Sequence, residues 1–314
     1  MSGEGDRPAP LQALLTALKG FCMGAADVVP GISGGTMAFV LGIYPQLLAA
    51  IRSFDLAWLG ALLRLDLATA LRRPHLPFLL PLLTGIGTAL WFFTHVIPLP
   101  RLLRVHPEPV YGLFFGLIGG SVLVLWRELR IRGLVDIGHL LLGAGLAALV
   151  LNLVPVATPE TWWFVMFSGS LAICAMILPG ISGSYILLLL NKYAYVLEAV
   201  GSFDLRVLLP FAVGAAAGLA LFSRLLSWLL VRFYHPVMAV ITGFLIASLW
   251  RIWPWQERIY ASVAGRQVPL QSHPRWPDPA AGGDFVLVVA LAAGGLLLVL
   301  AVDAIARRLR ASGG

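Results

Sequence analysis

Pro30-Gly31-Ile32-Ser33-Gly34-Gly35 and Pro179-Gly180-Ile181-Ser182-Gly183-Ser184 each break an apolar region of about 40 residues, 11–51 and 162–200. Proline lacks the helix N–H donor and glycine favours turns. Each region is therefore expected to split into two half-helices of about 15 residues, roughly 22 Å long at 1.5 Å per residue. A bilayer core is about 30 Å thick, so two re-entrant hairpins are expected rather than two crossings.

The broken regions are copies. Residues 30–56 align without a gap on 179–205, an offset of 149, with 13 identities in 27 positions. The match includes Tyr44 with Tyr193, and Ser53-Phe54-Asp55-Leu56 with Ser202-Phe203-Asp204-Leu205. A weaker echo pairs His106-Pro107 with His235-Pro236, and Gly116, Ser121 and Trp126 with Gly243, Ser248 and Trp253. A period of this length marks an internal duplication.

Six further apolar runs are each long enough to cross a bilayer: 76–97, 109–127, 137–155, 207–231, 236–253 and 284–306. Gly85 and Gly87, Gly116 and Gly119, Gly143 and Gly145, and Gly214 and Gly218 are placed for close helix approach. The connectors are 52–75, 98–108, 128–136, 156–161 and 254–283, the last expected as a mobile loop. The whole chain, 1–314, reads as one domain: repeat 1 over about 11–155 and repeat 2 over about 162–306. The fold class expected is an all-α integral membrane protein of two inverted repeats, each a re-entrant helical hairpin plus three transmembrane helices. Three crossings per repeat is an odd number, so the second repeat starts on the opposite side of the membrane, the plan of many secondary transporters.

Composition agrees. The chain is 59% hydrophobic and 12% charged, against about a quarter charged in soluble proteins. With the N-terminus cytoplasmic and the hairpins not crossing, 13 Lys/Arg lie inside and 8 outside, Arg224 falling within its helix. The net charge of +7 is then a loop property, and no soluble basic domain is present to bind nucleic acid. Residues 1–10 lack the basic start and cleavage site of a signal peptide. Cys22 and Cys174 read as small apolar residues. Trp162, Trp163, Trp253 and Trp255 suit an interfacial belt.

The chemistry is expected at the bends. Half-helices starting near Gly34, Gly35 and Thr36, and near Gly183, Ser184 and Tyr185, begin with N–H groups that have no helical partner. Ser33, Thr36, Ser182 and Ser184 add hydroxyls, while Gly31 and Gly180 allow close approach. This is the physics of a phosphate or carboxylate cradle; the competing reading is a structural bend capped by serine. Asp27 is an intramembrane acid whose repeat counterpart is Met176. It is either a coupling group for a proton or sodium ion or a partner for the turn's own N–H groups. Arg224, whose counterpart is His95, could pair with a phosphate or snorkel to the interface. Lys192 could neutralise an anionic headgroup or sit at a helix end. Asp55 and Asp204 read as helix N-caps.

The motif blocks resemble a known family. Residues 20–44, GFCMGAADVVPGISGGTMAFVLGIY, and 176–193, MILPGISGSYILLLLNKY, resemble the bacterial polyprenyl-phosphate (undecaprenyl-phosphate) translocases. LLPFAVGAAAGLALFSRLLSWLL (208–230) and ITGFLIASLWRIWPW (241–255) are similar to them too. The resemblance implies a flippase of the cytoplasmic (inner) membrane, not an enzyme, returning a single-phosphate isoprenoid carrier to the cytoplasmic leaflet for cell-wall (peptidoglycan) synthesis. Its partners are then the polyprenyl-phosphate lipid and membrane lipids, with homo-oligomerisation left open, and no cofactor beyond a coupling proton or sodium ion. Two alternatives stand beside it. A membrane lipid-pyrophosphate phosphatase would need a glutamate cluster, and the chain has no Glu-x-x-x-Glu. A small-anion carrier could use the same cradle.

Overall fold

The computed structural model describes residues 9–29, 32–97, 99–129, 133–263, 266–277 and 283–312. The first repeat opens with α1 (Ala9–Val28), α2 (Gly34–Val40) and α3 (Tyr44–Arg52). Two short helices follow, α4 (Leu56–Leu63) and α5 (Leu67–Arg72), then α6 (Leu76–His95), α7 (Leu99–Val105), α8 (Pro107–Leu129) and α9 (Leu134–Leu151). The second holds α10 (Trp162–Ile177), α11 (Gly183–Leu189), α12 (Tyr193–Ser202), α13 (Leu205–Arg232) and α14 (Tyr234–Arg251). A hairpin of β1 (Gln256–Val263) and β2 (Arg266–Pro274) precedes α15 (Gly283–Ser312).

Among the described residues, α6, α8, α9, α13 and the 285–304 part of α15 are long and apolar enough to cross a membrane. The sixth expected span, α14, has 18 residues, but Tyr234-His235-Pro236 and Trp250-Arg251 make its ends polar. The chain is an all-α multi-pass membrane protein with one small sheet.

Three expectations are corrected. Each broken region forms three helical pieces instead of two, of 20, 7 and 9 residues and of 16, 7 and 10. The second break falls at Gly42 (φ +69°) and Asn191 (φ +51°), equivalent positions in the left-handed region. There Ile43 N–H bonds Ala38 O at 3.0 Å and Lys192 N–H bonds Leu187 O at 2.8 Å, one contact made twice. Secondly, the 52–75 connector contains α4 and α5, capped by Asp55 on Trp58 N–H (2.7 Å) and Asp66 on Thr69 N–H (3.1 Å). Asp204 caps α13 through Arg206 N–H at 3.0 Å, so both aspartates expected as caps are caps. Thirdly, within the 254–283 connector, where a mobile loop was expected, residues 256–263 and 266–274 pair as an antiparallel hairpin with a bulge at Ile259/Tyr260.

The helices pair through glycine, and the pairs recur. A Cβ on Gly85 would stand 1.9 Å from Ala17 O, and one on Gly214 1.8 Å from Met166 O. Ala17 and Met166 are repeat equivalents, and α1 lies on α6 as α10 lies on α13. Likewise a Cβ on Gly116 would stand 1.9 Å from Ala292 O and one on Gly243 2.1 Å from Leu140 O, and Gly143 and Gly295 lie in the same way against Val240 O and Leu113 O. Here each repeat's middle span packs on the last span of the other repeat: α8 on α15, and α14 on α9. Gly87, Gly119 and Gly145 meet nothing within 4 Å, so only one glycine of each of those three expected pairs makes the contact.

The register fixes the hairpins. Gly20 meets Leu82 and Gly24 meets Ile86 and Ala89, so α1 and α6 run in the same direction. Gly214 meets Met166 and Gly218 meets Ser170, so α10 and α13 do as well. The chain between each parallel pair must return to the side where it began. The largest core cluster surrounds the first hairpin, with Met37, Ile43, Tyr44 and Leu48 packed by Ile118, Leu245 and others. Trp162 and Trp163 are exposed, as a belt requires; Trp253 instead packs on Phe115 and Trp255 stacks on Phe285. Cys22 and Cys174 are free thiols.

Candidate functional site

The two bends meet. Ser33, at the N-cap of α2, donates its hydroxyl to Met176 O (2.8 Å) and accepts from Gly35 N–H (3.1 Å). Tyr44 donates to Ile177 O at 3.0 Å. Gly180, held at φ +95°, donates its N–H to Thr36 Oγ1 at 2.9 Å. The first hairpin thus takes the last two carbonyls of α10, which have no helical partners of their own.

The first bend is occupied from within. Gly34 N–H donates to Asp27 Oδ1 at 2.6 Å. A Cβ on Gly34 would lie 2.5 Å from Asp27 Oδ2, and one on Gly35 2.4 Å from Met176 O. The absent side chains of Gly34 and Gly35 therefore make room for a carboxylate and for the other hairpin. Ser33, Gly34, Gly35 and Thr36 are buried and hydrogen-bonded within the protein in this arrangement. Asp27 does what the competing reading required, binding the turn's own N–H. Gly31 lies outside the described residues.

The second bend differs. Its counterpart of Asp27 is Met176, which has no charge to offer. Ser182 Oγ pairs with Ser184 Oγ at 2.8 Å, Ser184 is exposed and Ser182 half-buried. Gly183 packs against Ala172 O, where a Cβ would stand at 2.6 Å. Beside them Tyr185 donates to Leu151 O (2.8 Å), and the Arg251 guanidinium lies 5.1 Å from the Tyr185 ring centroid.

The two expected cations are placed differently. Lys192 is 1% exposed and donates Nζ to Thr158 O at 2.9 Å, with the Phe164 and Tyr195 rings at 5.8 and 5.9 Å. It is buried inside the second hairpin, where its counterpart Ile43 is also buried. Arg224 is half-buried and donates Nη1 to Ala220 O at 2.7 Å, as His95 Nδ1 contacts Trp91 O, four residues back in each case. The α10–α13 register sets Arg224 level with Met176 and Ile177, at the depth of the second bend. Its charge also reaches Asp55. That carboxyl is held below its ordinary value first by Trp58 N–H, then by Arg73 at 2.5 Å and by Arg224.

Sequence reasoning missed Tyr44, Arg251 and the Tyr185 side chain. The identity of Tyr44 with Tyr193 was a usable signal, since a phenol at membrane depth needs a partner. Nothing local marks Tyr185 or Arg251, whose contact joins residues far apart in the chain.

Residues 23–268 match the family model described as "VCA0040-like: Undecaprenyl phosphate translocase-like". The chain is 44% identical over 259 residues to a polyprenyl-phosphate transporter of Vibrio cholerae serotype O1, covering 82% of this chain and 83% of the relative. It is 30% identical over 263 residues to a polyprenyl-phosphate transporter of Staphylococcus aureus, covering 76% and 86%. No solved structure matches it.

Proposed function

We propose that this chain, which belongs to the undecaprenyl phosphate translocase-like family, carries undecaprenyl phosphate or a related polyprenyl phosphate across the cytoplasmic membrane. Moving the lipid inward returns the carrier for further cell-envelope and peptidoglycan synthesis. The relatives' names support the substrate, and the five membrane-length helices support the setting. No bond is made or broken in this role; the protein is a transporter rather than an enzyme.

One observation carries the site: of two duplicated bends, the first is filled by the Asp27 carboxyl, and the second has Met176 at that position and leaves Ser182 half-buried and Ser184 exposed. The phosphate takes the second bend, against the Ser182 and Ser184 hydroxyls and the Gly180 and Gly183 turn. Arg224 supplies charge at that depth, and Lys192 adds positive potential from within the hairpin. The isoprenoid tail stays in lipid. Rocking of one repeat against the other then passes the headgroup towards the first bend, Gly31 to Thr36. Asp27 is the coupling group, binding a proton or sodium ion on its second oxygen.

Inversion of the repeats is supported by helix direction. Gly112 meets Val288, Gly116 meets Ala292 and Gly120 meets Leu296 and Val299, so α8 and α15 run parallel. Successive spans alternate in direction, and a parallel α8 and α15 then requires α13 to run opposite to its counterpart α6. The excess of Lys/Arg on one side makes the N-terminus cytoplasmic.

Leaflet-resolved transport of labelled polyprenyl phosphate in proteoliposomes, with and without a proton or sodium gradient, tests the proposal. Arg224→Ala with Ser182→Ala should slow it sharply while the protein stays folded; unchanged uptake overturns the site. Competition by inorganic phosphate equal to that of lipid phosphate would favour a small-anion carrier. Phosphate release from a lipid pyrophosphate would favour a phosphatase.

A further inference from the structure

Among the described residues, the side-chain donors that join the hairpins come from the first hairpin alone, while Gly180 N–H answers with a backbone bond to Thr36 Oγ1. Tyr44 reaches Ile177 O and Ser33 reaches Met176 O. Applying the repeat offset of 149 gives the mirror bonds, Tyr193 to Val28 O and Ser182 to Asp27 O. Among the described residues neither is made. Tyr44 is 2% exposed, while Tyr193 is half-buried and Ser182 bonds Ser184 instead. Val28 ends α1 as Ile177 ends α10. Both helix ends leave carbonyls without intrahelical donors, and such groups are costly at membrane depth. One end receives a tyrosine of the opposite hairpin, and among the described residues the other receives none.

We propose that Tyr44 and Tyr193 are positioning residues that latch the two hairpins alternately. Tyr44 on Ile177 O holds the state described here, with the second bend open. Tyr193 on Val28 O holds the opposite state, with the first bend open. Ser33 and Ser182 exchange in step, so that the serine released from a carbonyl becomes available to the headgroup. Two similar donors on two similar carbonyls give the states comparable energy, which a carrier that must visit both requires. This rests on the transport reading above, though the latch can be tested without any lipid.

The test uses disulfide trapping of the full chain in membrane vesicles, in a Cys22→Ala/Cys174→Ala background. Ser33→Cys with Ile177→Cys reports the state described here, and Val28→Cys with Ser182→Cys reports its mirror. Both pairs should cross-link under mild oxidation. Tyr44→Phe should raise the mirror cross-linking rate about fivefold and Tyr193→Phe lower it about as much, the weight of one hydrogen bond in a two-state equilibrium. The Ser33/Ile177 pair also reports folding of each variant. A mirror pair that never links while the first links readily overturns the latch, as does a mirror rate that neither tyrosine variant moves. Transport by the Cys22→Ala/Cys174→Ala protein, with Ser33 and Ser182 intact, separates the two claims. Alternating cross-links without lipid movement uphold the latch and refute the substrate; lipid movement without the mirror cross-link does the reverse.

Discussion

Replacing Gly85 by alanine should part α1 from α6, whereas the same change at Gly87, on the same helix, should not. A Cβ at Gly85 would stand 1.9 Å from Ala17 O and 2.8 Å from Phe21 N. Carbon–oxygen contacts settle at about 3.3 Å or more, so the helices must separate locally by about 1.4 Å. Both obstructing atoms are backbone, and no rotamer change relieves them. Overpacking of this kind costs about 1–3 kcal/mol. At about 2–4 °C per kcal/mol for a chain somewhat smaller than this one, the apparent Tm should fall by roughly 2–12 °C. Gly87 meets nothing within 4 Å, and alanine is the better helix former by about 1 kcal/mol, so Gly87→Ala should leave Tm unchanged or raised. Gly214→Ala, 1.8 Å from Met166 O, should reproduce the Gly85 result in the second repeat. Thermal unfolding of detergent-purified protein, followed by tryptophan fluorescence and by size-exclusion elution, measures all three. A Gly85→Ala protein as stable as its parent, or a Gly87→Ala protein equally weakened, would refute the packing argument.

Three further outcomes are expected. Asp27→Ala strands the Gly34 N–H and should cost about 1.5–3 kcal/mol, while Asp27→Asn, which keeps an acceptor oxygen, should cost less; equal Tm losses would count against the bond as the cause. Lys192→Met removes the donor to Thr158 O and both ring contacts and should lower stability by about 1–2 kcal/mol, read as a Tm shift; an unchanged Tm would show the buried ammonium to be dispensable. Ser182→Ala with Ser184→Ala removes two hydroxyl donors. Each is worth about 1.5 kcal/mol or more to a charged ligand, so lipid-phosphate affinity should fall at least tenfold, and a binding isotherm within twofold of the parent would move the headgroup elsewhere.

Most of the span positions were legible before any coordinates, because an apolar run reports its own burial in lipid and needs no partner to be recognised. The duplication was legible too, and with it the equivalence of Tyr44 and Tyr193 and of Asp55 and Asp204. The second break at Gly42 and Asn191 left a weaker trace: glycine signals left-handed backbone readily, but asparagine in an apolar run does so only once its φ is known. The β-hairpin was missed because its turn and polar residues read equally well as a loop.

The sequence by itself determined that the chain crosses a membrane, that it is built twice, and that its polar chemistry gathers at two proline-glycine bends. Only the tertiary structure decided what those bends hold. Gly34 and Gly183 are the same residue in the same motif, yet one faces a carboxylate and the other a helix carbonyl. Helical periodicity is a local property, repeated wherever the sequence repeats. The neighbour that fills a glycine's empty side is set by packing between distant segments, and there Asp27 and Met176 make two copies of one motif unlike.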